Sequence, residues 1–237
     1  MLFVKLLLAH SLGDFIFQPS NWVRDKEQKK VKSLYLYYHI LVHLILLILI
    51  LEFNYFYWLG ILVILISHYC IDLIKLYFVS HLNRRKLFFR DQFAHLIILL
   101  SVTYFYSYRE LTIESLFYTK SILMILFIVL TTKVAAIFIK VFMSKWNEVN
   151  SPKEESLLDA GAKIGVLERL FVFTFVVFNH WAGIGFLLAT KSVFRFGDIS
   201  RAKNRKLTEY ILIGTLTSFG IAIFLALSYL YFLEHIE

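Results

Sequence analysis

The chain has 237 residues, 59% hydrophobic, 18% aromatic and 18% charged, with mean hydropathy +0.69. That balance excludes a soluble globular domain, and unbroken apolar runs such as 44–51 and 122–130 exclude a transmembrane β-barrel, whose strands alternate over about 10 residues. The net charge of +8 sits between the apolar runs and points to anionic lipid headgroups, not nucleic acid; the single cysteine, Cys70, excludes an intrachain disulfide or a multi-cysteine metal site.

A helix needs about 20 residues to cross roughly 30 Å of hydrocarbon. In chain order the first apolar segment is 2–18, stopped by Pro19 and Ser20. It carries His10 and Asp14 and no small-residue cleavage site follows, so it reads as a helix of the fold and not a signal peptide. Segments 35–51 and 56–79 follow, separated by a tight turn at Asn54. Next come 88–106 and 116–142, then the longest polar loop, 144–163, which contains Pro152. Segment 164–194 is interrupted at Asn179 to Gly183, leaving arms of about 14 residues, roughly 21 Å each, which suits a hairpin. Segment 209–232 is last. The expected fold is an all-α polytopic transmembrane bundle, with six full spans plus a broken helix or hairpin at 164–194. Its organisation is a five-helix half at 1–142, a polar loop at 143–163 and C-terminal helices at 164–237 of the same membrane domain.

Lys and Arg in short loops set orientation. Arg24, Lys26, Lys29, Lys30 and Lys32 follow the first segment, and Arg84, Arg85, Lys86 and Arg90 follow the third. Both loops are expected on the cytoplasmic side, with both termini outside. The hairpin returns the basic loop 191–206 to that same side.

The most informative residues are four i, i+4 pairs: His10/Asp14, His39/His43, His68/Asp72 and Asp91/His95. Each pair shares one helix face. An ionisable group inside a bilayer costs about 2.5–3.5 kcal/mol on insertion scales, so four such pairs argue for a built polar site. The topology puts them near the cytoplasmic boundary. Neutral imidazole and carboxylate are ligands of divalent transition metals, with zinc the first choice. The expected ligands are His10, Asp14, His68, Asp72, His95 and His43, with Asp14 and Asp91 as catalytic carboxylates. His39, flanked by Tyr37 and Tyr38, reads more simply as an interfacial hydrogen-bonding residue, and Gln18 and Gln92 as supports. For Asp72 the plainer alternative is an ion pair with Lys75 or Arg85.

Basic residues suited to a phosphate or lipid headgroup are Lys75, Arg169, Lys191 and Arg195. The structural alternative pairs Glu168 with Arg195 or Glu209 with Arg169. Gly161 and Gly165, four apart, fit close helix packing. These features give a metal-dependent intramembrane hydrolase of a lipid or lipid phosphate as the expected function. A proton- or metal-coupled transporter and a non-catalytic scaffold stand as alternatives, and a homo-oligomer is left open.

The segments His-Ser-Leu-Gly-Asp-Phe-Ile-Phe-Gln at 10–18, His68-x-x-x-Asp72-x-x-Lys75 and Asp91-Gln92-x-x-His95 resemble a bacterial membrane-protein family named only as domain of unknown function 3307. The later segments Ile-Gly-Val-Leu-Glu-Arg, Lys-Ser-Val-Phe-Arg-Phe-Gly and Glu-Tyr-Ile-Leu-Ile-Gly-Thr-Leu fit it too. The resemblance implies a multi-pass protein of the bacterial inner membrane and supplies no activity. In style alone, the His and Asp on successive turns are also similar to membrane-bound metal-dependent hydrolases, whose full motif set is not found here.

Overall fold

Helix is the only regular secondary structure among the described residues of the computed structural model, namely 1–79, 83–107, 116–146, 160–202 and 205–235, with side chains at 116–118, 194–202 and 205–207 outside that description. The chain divides into two units, Met1–Leu126 and Phe127–Glu237. The first contains α1 (Leu2–Phe15), α2 (Ser20–Lys29), α3 (Leu34–Ile50), α4 (Trp58–Phe78) and α5 (Arg84–Ser107), and α6 (Leu116–Val129) begins in it.

Helices α1, α3, α4 and α5 close a ring: α1 packs on α3 and α5, and α4 packs on the same two. The reason is visible in their stripes. In α3 the buried residues are Leu36, His39, His43 and Leu47; in α4 they include Ile64, His68, Asp72 and Leu76; in α5 they include Leu87, Asp91, His95 and Leu99. Each stripe recurs every three or four residues, as one helix face does. In each of these three stripes the ionisable residues lie between buried apolar ones, with the larger apolar layer on one side of them. Leu2, Leu6, Ala9, Leu47, Leu51, Tyr57, Ile64, Leu99, Val102 and Tyr106 form the apolar core. There the Gly60 amide donates to the Tyr106 hydroxyl at 3.1 Å, which satisfies a first-turn N–H of α4.

Pro19 lies just outside α2 with extended backbone, so the chain breaks where proline cannot continue a helix. The α3–α4 connection turns at Asn54 as expected. Glu52 and Phe53 take φ of 58° and 55°, and the Asn54 side chain accepts the Phe56 amide at 3.0 Å. Segment Ser20–Lys32 bends by 108° from α3. Helix α2 therefore lies across the end of the ring nearer its ionisable residues and packs on α3.

Three helical segments among the described residues are long and apolar enough to cross a membrane: Tyr55–Phe78, Thr119–Trp146 and Thr208–Glu234. The bent pair Ser20–Lys32 plus Leu34–Ile50 raises the total to four, so the expected six full spans are corrected to three or four. The shortfall has a physical cause. Helix α1 has 14 residues, about 21 Å of rise. Helix α3 has 17 residues, and α5 opens with Arg84, Arg85, Lys86, Arg90 and Asp91; α8 (Ala160–Val177), which belongs to the interrupted segment and not to the six, carries Lys163, Glu168 and Arg169. Hydrophobic runs were legible as segments, but their charges and lengths remove several from the spanning class.

In the second unit a π-turn, Leu130–Val134, joins α6 to α7 (Ala135–Met143). Then come α8, α9 (Trp181–Ala202) and α10 (Arg205–Glu234). The expected interruption of segment 164–194 is present: α8 ends at Val177, Asn179 takes φ of 55°, and α9 packs back on α8. Most of the expected polar loop, residues 147–159, lies outside the described residues. A π-turn shifts the helical ladder, and here a buried arginine takes up the carbonyls. Arg169 donates through Nε to the Thr131 carbonyl at 2.8 Å, through Nη2 to the Thr132 carbonyl at 3.1 Å and through Nη1 to Ser218 Oγ at 3.3 Å.

Candidate metal centre

All eight members of the four sequence pairs meet inside the ring. Helix α1 supplies His10 and Asp14, α3 His39 and His43, α4 His68 and Asp72, and α5 Asp91 and His95. All except Asp14, which is nearly so, are buried. Every imidazole turns its Nε2 inward. Asp14 Oδ1 lies 3.0 Å from His43 Nε2, 3.3 Å from His39 Nε2 and 3.5 Å from His68 Nε2, and Asp14 Oδ2 lies 3.8 Å from His10 Nε2. The Nε2 atoms of His39 and His68 are 3.0 Å apart.

The two lysines decide the electrostatics. Lys26, reaching in from α2, donates to Asp72 Oδ2 at 2.8 Å, and Lys75 donates to Asp91 Oδ2 at 2.6 Å. Asp72 therefore has an ion-pair partner, but it is Lys26 and neither Lys75 nor Arg85. Asp14 is different. Its ion-pair contacts among the described residues are all imidazoles, and its remaining hydrogen bond comes from the Gln92 amide at 3.2 Å. Three carboxylates face two ammonium groups, so with neutral imidazoles the cluster lacks one positive charge. A buried carboxylate without a cation is costly.

Donor chemistry and spacing fit a metal. Metal bonds of about 2.0–2.2 Å at a tetrahedral angle place two ligand atoms about 3.4 Å apart. The distances between 3.0 and 3.8 Å around Asp14 bracket that spacing. Three overlapping sets have ligand atoms within 4.8 Å of one another: His10, Asp14, His43, His68; His39, His68, Asp72; and Asp72, Asp91, His95. The supports expected from sequence are also placed: Gln92 reaches Asp14 and Asp91, and the Gln18 amide lies 3.0 Å from the His39 ring nitrogens.

Sequence reasoning underrated His39, which is fully buried at the centre. It also missed Lys26 and Gly13. A Cβ on Gly13 would stand 2.4 Å from His43 Cε1 and 2.5 Å from its Nε2, so the glycine is the space the imidazole occupies. Changing Gly13 to Ala is expected to push the His43 ring off its place and, for a metal held by the cluster, to lower affinity by about 10–100-fold, the range for residues that hold ligands in position. Competitive chelator titration of the two purified proteins reads this directly. The signal in the sequence was a glycine one residue before Asp14, on the turn between His10 and Asp14.

The basic residues expected to bind phosphate are dispersed. Lys75, beside Asp91, lines a groove of about 380 Å³ between α4 and α5, with Ile71, Ile74, Phe78, Leu87, Arg90 and Ala94. Arg169 and Lys191 line a separate cavity of about 500 Å³ in the second unit. There Lys191 pairs with Glu168 at 2.6 Å, while Arg169 is committed to Thr131, Thr132 and Ser218. The side chain of Arg195 lies outside the described residues.

A comparison with curated proteins found no match, and neither did a comparison with solved structures. A family described as "Protein of unknown function (DUF3307)" matches residues 2–124, which holds all eight cluster residues and nearly the whole first unit. That match spans more than half of the 237 residues, and the chain belongs to this family.

Proposed function

We propose that the protein is a metal-dependent hydrolase of a membrane lipid or lipid phosphate, acting from the cytoplasmic side of the bacterial inner membrane. The observation that carries this reading is Asp14, an inward carboxylate with four imidazole Nε2 atoms within 3.0–3.8 Å and no lysine or arginine among its described ion-pair partners. The cluster's imidazoles and carboxylates would hold a divalent transition metal, zinc first, which would supply an ionised water near neutral pH and polarise the ester's phosphoryl or carbonyl oxygen.

The groove between α4 and α5 supports a lipid substrate. Its walls are apolar, while Lys75, Arg90 and Asp91 stand on it and Asp91 belongs to the cluster. Arg90 is exposed and offers its guanidinium to a phosphate, with Lys75 beside it. In hydrolysis the water oxygen bonds to phosphorus or acyl carbon and the ester oxygen leaves. One water proton passes to a cluster carboxylate, Asp14 or Asp91, and then to the leaving oxygen. Lys191, Arg169 and Arg195 belong to the second unit. Lys191, on its cavity, is the member with a place for a headgroup, and Arg169 serves the fold. Arg24, Lys29, Lys30 and Lys32, and the basic residues of 84–90, face anionic headgroups on the same side, whereas Lys26 is taken up by Asp72.

The test is purification in detergent without chelator, then metal analysis and turnover of mixed micelles carrying phosphatidic acid or a phospholipid. Stoichiometric transition metal and lipid hydrolysis that stops on chelation and returns on adding zinc are expected. Protein that is folded, metal-free after zinc loading and inert sinks the proposal.

A further inference from the structure

The three ligand sets do not describe one position. His10, Asp14, His43 and His68 form a complete set of four, whereas Asp72, Asp91 and His95 form a set of three with no residue in common with it. The second set has an independent mark of its own. Asp91 Oδ1 and His95 Nε2 are both buried, and neither has a hydrogen-bond partner among the described residues. They face each other at 3.6 Å, too far for a hydrogen bond and close to the spacing of two ligands on one ion. The other side of Asp91, Oδ2, is already occupied by Lys75 at 2.6 Å. Asp72 is divided in the same way: Oδ2 faces Lys26 and His39, and Oδ1 faces His95 Nε2 at 4.0 Å.

We infer that the centre holds two divalent metal ions of different duty: a closed four-ligand ion at His10, Asp14, His43 and His68, and an open three-ligand ion at Asp72, Asp91 and His95. This rests on the metal reading above. Structural zinc sites are closed by four protein ligands, and catalytic ones leave a position for water or substrate. Only the three-ligand set touches the α4–α5 groove, through Asp91. The open ion is thus the one that meets substrate, with Asp91 as its ligand on the groove side. His39, between the sets, lies within 3.7 Å of Asp72 and 3.3 Å of Asp14 and fixes their spacing.

Cobalt(II) reconstitution of the full chain in detergent tests this. Wild type is expected to take up two equivalents. Asp91→Asn, which alters charge and not volume, and His95→Ala are each expected to take up one and to keep the strong visible absorption of four-coordinate cobalt. His10→Ala is expected to take up one, at the three-ligand position. A single equivalent in wild type, or two in Asp91→Asn, overturns the second ion while leaving a one-metal hydrolase standing. Two equivalents distributed as expected, without lipid hydrolysis, overturn the reaction and leave the two ions. Should His95→Ala fail to fold, Asp91→Asn alone decides.

Discussion

Asp14→Asn is expected to empty the four-ligand site and to lower lipid hydrolysis by about 10³-fold, the equivalent of losing roughly 4 kcal/mol of metal-assisted stabilisation. The substitution keeps the shape of the side chain and removes its charge at the point where four imidazoles converge. Gln92→Ala is the matched control. It removes an amide that touches Asp14 at 3.2 Å but offers no ligand, and it is expected to cost only about 10–100-fold in metal affinity. A second signature separates a metal site from an ordinary hydrogen-bonded cluster. In metal-free protein Asp14 is a buried anion with no lysine or arginine among its described partners, so the neutral amide of the Asp14→Asn variant removes a desolvation cost. The metal-free variant is therefore expected to melt at a higher temperature than metal-free wild type, while added zinc stabilises wild type alone. Melting curves of both proteins with and without zinc make the comparison. If wild type is the more stable without metal, the cluster is a self-sufficient polar core.

Lys26→Met is expected to destabilise the first unit by about 3–5 kcal/mol, the usual consequence of leaving one member of a buried ion pair alone. Lys26 and Asp72 are 2.8 Å apart, with side chains 5% and 6% exposed. The double variant Lys26→Met, Asp72→Asn is expected to recover most of that loss, because no uncompensated charge then remains. Lys5 is the contrast: its partner Glu52, at 3.0 Å, is 57% exposed, and water compensates a broken pair there. Denaturant or thermal midpoints of the single and double variants give the coupling. Near-additive losses would mean that Lys26 does not neutralise Asp72.

The four i, i+4 pairs were legible because a helix repeats every 3.6 residues, and ionisable residues recurring on one face of an apolar segment cost too much to persist without polar neighbours. The convergence of four helices followed from placing those pairs at one depth. The residues that escaped did so for separate reasons. His39 sits between Tyr37 and Tyr38 on one side and an apolar run on the other, and the tyrosines suggested an interface. Successive residues are turned by about 100°, so both tyrosines point away, 47% and 48% exposed, while His39 faces the centre. Lys26 is 46 positions from Asp72, and a polar helix that also carries Arg24 and Lys29 gives no reason to single one out. Gly13 acts by lacking a side chain, which spacing arguments cannot see. The number of spans was overcounted because apolar runs were measured without discounting the charged start of α5 or the brevity of α1.

The stripes that build the cluster also limit how the gene can change. One residue added to α4 between Ile64 and His68 would rotate everything beyond it by about 100° and advance it by about 1.5 Å. His68 and Asp72 would leave the ring interior together, while Ile64 and Gly60 stayed in register with Val102 and Tyr106. The same holds between His43 and Leu47 in α3 and between His95 and Leu99 in α5. Homologous chains are thus expected to vary in length at the turns around residues 30–33 and 52–57, and to keep identical length across every interval that joins an apolar layer to its imidazoles.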